Sequence, residues 1–228
     1  MDQRTMFPAG RPLHEGRFIY LLVMILAMLV IGPLVDEFVH LRLLMDIFWS
    51  AIFIAAVYAI SHKKRHLIIG ALLALPMLGS IWFSYLLQHT GLYVLGNTCG
   101  AAFFGLAIFH MLTFIYNQER VSKDLIVGAA LVYLLMALMW TFIFSIVETL
   151  HPGSYAMAQS DISRNTRDLL YYSFVTITTL GYGDITPVTR LARSLCIIEA
   201  VIGQLYLVVS VAWLVGMHVS QKMMERTK

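Results

Sequence analysis

Charge is what this sequence has least of. Only 13% of its 228 residues are Asp, Glu, Lys or Arg, and the mean hydropathy is +0.77. A soluble domain carries about 25% charged residues, so a water-soluble globule is excluded. Cysteine is nearly absent too. Cys99 and Cys196 both fall inside apolar runs, which excludes a disulfide scaffold and reads as two small buried hydrophobes. The loops hold no phosphate-cradling glycine turn, no metal-ligand cluster and no nucleophile–base pair, and the histidines are scattered. An enzyme is therefore not the reading, and neither an organic cofactor nor a nucleic-acid partner is implied.

What is abundant is apolar sequence in long runs. About 20 apolar residues span a bilayer. Six blocks approach or exceed that length: Phe18–Leu34, Leu43–Ile60, Leu67–Leu87, Leu92–Tyr116, Leu125–Val147 and Leu195–Met217. A seventh, Leu169–Leu180, is too short to span and suits a re-entrant helix. The expected fold is an all-α membrane protein with six transmembrane helices and one re-entrant helix. Eleven of the 16 basic residues fall on one side of such a topology: Arg4, Arg11, Arg17, Lys63, Lys64, Arg65, Arg120, Lys123, Lys222, Arg226 and Lys228. By the positive-inside rule that side is cytoplasmic. Both termini are expected there, with the protein in the plasma (inner) membrane and lipid as its surroundings. The alternative, a cleaved signal peptide in the first block, lacks a small-residue cleavage site.

The polar stretch 117–124 divides the chain. Ahead of it lie a segment over 1–17 and a four-helix unit over 18–116; behind it lie a unit over 125–217 and a tail over 218–228. No soluble ligand-binding domain is evident. The rear unit holds the most informative run, Thr178-Thr179-Leu180-Gly181-Tyr182-Gly183-Asp184. Glycines flanking an aromatic allow backbone turns that branched residues resist. The run is preceded by Thr176-Ile177 and followed by Pro187, and Gly203 lies midway along the last block.

In this order of features, residues 125–217 resemble the pore module of potassium channels. The resemblance implies an outer helix, a pore helix, a selectivity filter and an inner helix, with four chains closing a homotetrameric pore. Thr179, Leu180, Gly181, Tyr182 and Gly183 would form the filter. Carbonyls of Thr179, Leu180, Gly181 and Tyr182 would hold potassium ions, the only cofactor implied, and the Thr179 hydroxyl would close the innermost site. Leu180 stands where the family usually has valine. Thr178 would belong to the hydroxyl-rich end of the pore helix that supports the filter.

Other positions are carried over in the same way. Tyr171 and Tyr172 stand where many members have two tryptophans, so Tyr171 would reach Asp184 and Tyr172 would reach Tyr182; packing alone is the alternative. Glu148 resembles a glutamate that ties the outer helix to the outer loop, or it is an interfacial carboxylate in water. Gly203 would be a gating hinge. Glu199, one turn earlier, either hydrogen-bonds hydroxyls such as Ser173 or Thr176, in support of the filter, or lines the pore. An acid at such depth is costly and faces protein or a cavity.

Six-span relatives that sense voltage carry arginines along the fourth helix. Here Leu92–Tyr116 has no Asp, Glu, Lys or Arg, and its one basic group is His110. The expected function is passive, potassium-selective conduction with little or no intrinsic voltage sensing. A weakly selective cation channel and a non-conducting regulatory subunit remain as alternatives. The eight-residue linker is too short for a long interfacial helix, so each four-helix unit is expected to pack on its own chain's rear unit.

Overall fold

The computed structural model describes residues 17–38, 42–60, 64–83, 90–118, 120–157 and 166–226. The expected segment ahead of Arg17, the end of the third apolar block, Lys63 and Lys228 lie outside the described residues. Among those described, seven helices and two short strands follow in chain order. They are α1 Arg17–Phe38, α2 Arg42–Ile60, α3 Lys64–Phe83, α4 Thr90–Tyr116, α5 Lys123–Leu150, β1 Tyr155–Met157, α6 Thr166–Ile177, β2 Ile185–Pro187 and α7 Arg190–Arg226.

Three of these helices, α4, α5 and α7, are long and apolar enough to cross a membrane; the described apolar stretches of α1 and α2 are shorter, Phe18–Ile31 and Asp46–Val57. The chain is mostly helical rather than wholly so. Strands β1 and β2 pair antiparallel, with Tyr155 opposite Pro187 and Met157 opposite Ile185. Tyr155 and Ile185 favour extended backbone, and Pro187 closes the strand, where its missing N–H costs little. Strands of three residues are too short to announce themselves by alternation. Helix α7 also differs from the expected block: it starts at Arg190 and runs on to Arg226. Its flanking charges end the apolar pattern without ending the helix, because Arg, Lys, Gln and Glu are all good helix formers.

Local sequence explains the helix ends that matter most. Ser122 caps α5: its hydroxyl accepts from the Leu125 N–H at 3.2 Å, and Asp124 sits in the positive first turn. The His151 N–H returns to Val147 O at 2.8 Å and closes the helix. Thr141, Ser145 and Thr149 donate their hydroxyls to carbonyls four residues earlier, at 2.6–2.9 Å. Such back-bonding satisfies hydroxyls that lipid cannot.

One buried cluster joins α1 to α5 and includes Ile177 of α6. At its centre an aromatic group runs through Trp49 and Phe53 of α2, Phe103 and Phe104 of α4, and Phe142 of α5. Phe142 stacks on Phe104 at 5.7 Å and 13°, and lies 5.2 Å from Trp49. Helices α1, α2 and α4 therefore pack on α5 of their own chain, and α3 packs on α2 and α4. In lipid, helices gain little from excluding water, so interdigitation and ring contacts hold the bundle. Phe142→Ala should lower unfolding free energy by about 2–3 kcal/mol, below the usual range for the loss of a phenyl ring because no water is displaced. Denaturant titration in detergent micelles checks this.

Candidate functional site

The end of α6 and the loop behind it are closely hydrogen-bonded. A helix leaves its last four carbonyls without helical partners. In α6 all four are taken. Phe174 O accepts from the Thr178 N–H and hydroxyl, Val175 O from the N–H groups of Leu180 and Gly181, and Thr176 O from the Thr179 N–H. Ile177 O accepts from the Tyr133 hydroxyl of α5 at 2.8 Å.

This pattern decides where the loop carbonyls go. In a trans peptide, C=O points opposite to the N–H of the following residue, and the described chain has no cis bond. The N–H groups of Thr179, Leu180 and Gly181 point back at the end of α6. The carbonyls of Thr178, Thr179 and Leu180 therefore point away from it, toward the open side. φ alternates in sign along the loop: it is positive at Thr179 (61°), Gly181 (57°) and Gly183 (80°), and not at Leu180 or Tyr182. Glycine meets that demand at no steric cost, whereas Thr179 sustains it only under constraint. The side chains of Leu180 and Tyr182 are 57% and 67% exposed in the single chain.

Several side chains fix α6 from outside. At its start the Tyr93 hydroxyl of α4 lies 2.7 Å from Thr166 Oγ1. In its middle Ser173 Oγ lies 2.8 Å from Ala137 O of α5 and 2.6 Å from Glu199 Oε1 of α7. At its end Gly203 of α7 meets Ile177 so closely that an added Cβ would lie 2.5 Å from Ile177 Cγ1. Helix α7 runs unbroken through Gly203. Tyr206, just beyond, donates to Ala129 O of α5 at 2.7 Å.

The expected tyrosine pair separates. Tyr171 interacts with Asp184 and holds its carboxyl below the usual range. Tyr172 turns inward: its hydroxyl lies 2.7 Å from Cys196 Sγ, so within the chain it does not reach Tyr182. The reason is steric, since the Tyr172 ring is packed between Phe144 and Tyr155 at 5.3–5.4 Å. Cys196 thus has a hydrogen-bonding partner that its apolar surroundings in sequence did not reveal.

Glu148 is only 7% exposed, which removes the reading of a carboxylate in water. Its Oε1 accepts from the Gly153 N–H at 2.8 Å and its Oε2 from the Tyr155 N–H at 3.1 Å. It therefore holds the turn leading into β1, and β1 pairs with β2 directly behind the glycine loop. Tyr133 and Tyr93 were not singled out by sequence. An isolated tyrosine in an apolar run carries no signal of which backbone its hydroxyl will reach.

The family model described as "Ion channel" (Ion_trans_2) matches residues 125–219, from α5 through the glycine loop to α7. Over these residues, less than half of the chain, it is similar to an ion-channel domain. No curated protein and no solved structure matches the chain. With α4, α5 and α7 each able to span a bilayer, the chain is an integral membrane protein. Within the matched segment, α5, α6 and α7 hold the loop between them, and α1, α2 and α4 pack on the outside of α5.

Two outcomes test this site. In Gly203→Ala the new methyl group displaces Ile177, which is branched and fully buried, so stability should drop by about 1–3 kcal/mol. Adding Ile177→Ala should restore part of that loss, a coupling read from a double-mutant cycle in micelles. The second concerns pH. The Tyr171 hydroxyl, then backbone N–H groups, hold the Asp184 carboxyl below its usual range. The stabilisation is present above the ordinary carboxylate range and is lost as pH falls through the lowered value. Tyr171→Phe should shift the Asp184 titration upward, as followed by carboxyl-carbon NMR.

Proposed function

We propose that this protein is a potassium-selective channel in which four copies surround one conduction path. One observation carries the reading: three successive loop carbonyls, those of Thr178, Thr179 and Leu180, are turned away from α6 because the following N–H groups are anchored to it. A ring of such oxygens from four chains can replace the water around a dehydrated potassium ion. Thr179, Leu180, Gly181, Tyr182 and Gly183 are the proposed filter, with ions held at the Thr179, Leu180, Gly181 and Tyr182 carbonyls. Thr178, Tyr171, Asp184, Glu148 and Glu199 support it. Gly203 is the proposed pivot of α7.

Six spans, cytoplasmic termini and location in the plasma membrane complete the proposal, supported by the apolar blocks and the distribution of basic residues. Conduction is passive. It responds little to voltage, because α4 from Thr90 to Tyr116 carries no Asp, Glu, Lys or Arg. Each missing charge forgoes roughly 2.3 kcal/mol per 100 mV of coupling.

Purified protein in liposomes should release potassium down its gradient, prefer it over sodium and be blocked by barium. Gly181→Ala costs about 1–2 kcal/mol in each loop at a left-handed position and should abolish the flux. Equal sodium and potassium flux would replace this reading with a weakly selective cation channel. Absence of flux across all pH values would replace it with a regulatory subunit.

A further inference from the structure

Ser173 raises a question of proton inventory. Its oxygen lies between two others, Ala137 O at 2.8 Å and Glu199 Oε1 at 2.6 Å. Oxygens at such distances need a proton in each gap, or their lone pairs repel. A serine hydroxyl has one proton to give and can accept another. The Ala137 carbonyl has none, so the Ser173 proton must fill that gap; the carbonyl also receives the Thr141 hydroxyl at 2.9 Å, which brings no proton to Ser173. The proton in the second gap must come from Glu199.

The surroundings of Glu199 agree. Ser173 and Glu199 are both 0% exposed. Glu199 Oε2 is buried without a hydrogen-bonding partner among the described residues. A carboxylate holding a full charge there would have one hydroxyl for support, whereas buried charges are ordinarily paired and fully hydrogen-bonded. In a carboxylic acid Oε1 carries the proton and Oε2 is a plain carbonyl oxygen, for which a missing partner is far less costly. The titratable groups that interact with Glu199 are Tyr133 on α5, Tyr155 on β1, Tyr172 on α6 and Cys196 on α7. Among the described residues no cation faces it.

We infer that Glu199 is an uncharged positioning residue: its O–H donates to Ser173 Oγ and the Ser173 O–H donates to Ala137 O, a relay that sets α6 between α7 and α5. Three helices are joined through one serine, and the direction of the relay is fixed because only its first member has a proton to spare. Losing the Glu199 proton reverses the Ser173 hydroxyl and breaks the bond to α5. The relay does not depend on which ion the channel passes.

Infrared spectroscopy of the full chain in lipid vesicles at neutral pH tests it directly. The wild type should show a protonated-acid carbonyl band that moves down in heavy water and is missing from Glu199→Gln. In Ser173→Ala the band should move up, because the acid loses its acceptor. Glu199→Gln, whose amide N–H can donate to Ser173, should unfold close to the wild type. Glu199→Leu, which cannot donate, should shift the folding equilibrium by about tenfold or more toward the unfolded state. A wild-type spectrum with no acid band, a band unmoved by Ser173→Ala, or equal damage from Gln and Leu would each overturn the relay. None of these readings uses ion flux, so failure of the channel proposal and failure of the relay are distinguishable.

Discussion

The constraint on which this structure turns is that backbone amides inside a membrane must find partners in protein. The glycine loop follows a helix end, where carbonyls are left over. It uses them: Val175 O takes two loop N–H groups and Thr176 O a third. The same bonds point the loop carbonyls the other way. A loop that bonded sideways into a sheet would satisfy its amides equally well, but its carbonyls would alternate in direction. Local satisfaction and a one-sided row of oxygens are therefore one event, and the left-handed residues Thr179, Gly181 and Gly183 are what it requires of the sequence.

Because the loop leans on α6, holding α6 still becomes the task of everything around it. Its start is touched by Tyr93 of α4, its middle by Ser173's contacts with α5 and α7, and its end by Tyr133 and by Ile177 against Gly203. These contacts come from three different helices, so α6 cannot translate or rotate without breaking one. Beyond the loop, Glu148 and the β1–β2 pair tie the exit of α5 to the segment after Asp184. The support is thus continuous on both sides of the loop.

How much of this was legible follows from the kind of signal each part leaves. Helices α4 and α5 were readable because long apolar runs leave few alternatives; α4 ends at Tyr116, where its block ends. The loop was readable because its glycines answer a backbone demand that few residue types meet. Glu148 and Glu199 stood out because acids among apolar residues need a reason. Partners were harder. Tyr133 reaches a carbonyl 44 residues away, and the Tyr172–Cys196 contact spans 24. Such distances are set by how helices pack, which periodicity within one helix does not encode. The strands and the full length of α7 were hidden for a simpler reason: hydropathy reports where apolar residues stop, not where the backbone changes.

The length of α7 has its own consequence. A helix of 37 residues extends about 56 Å, against roughly 30 Å of hydrocarbon in a bilayer. From the tight contact at Gly203 to Arg226 is about 35 Å of unbroken helix. A rock of about ten degrees at that contact would swing the far end by about 6 Å, on the same rise per residue. Were the close approach of Gly203 to Ile177 to serve as a fulcrum beside the loop, α7 would be the long arm that turns a small adjustment there into a wide sweep at its other end.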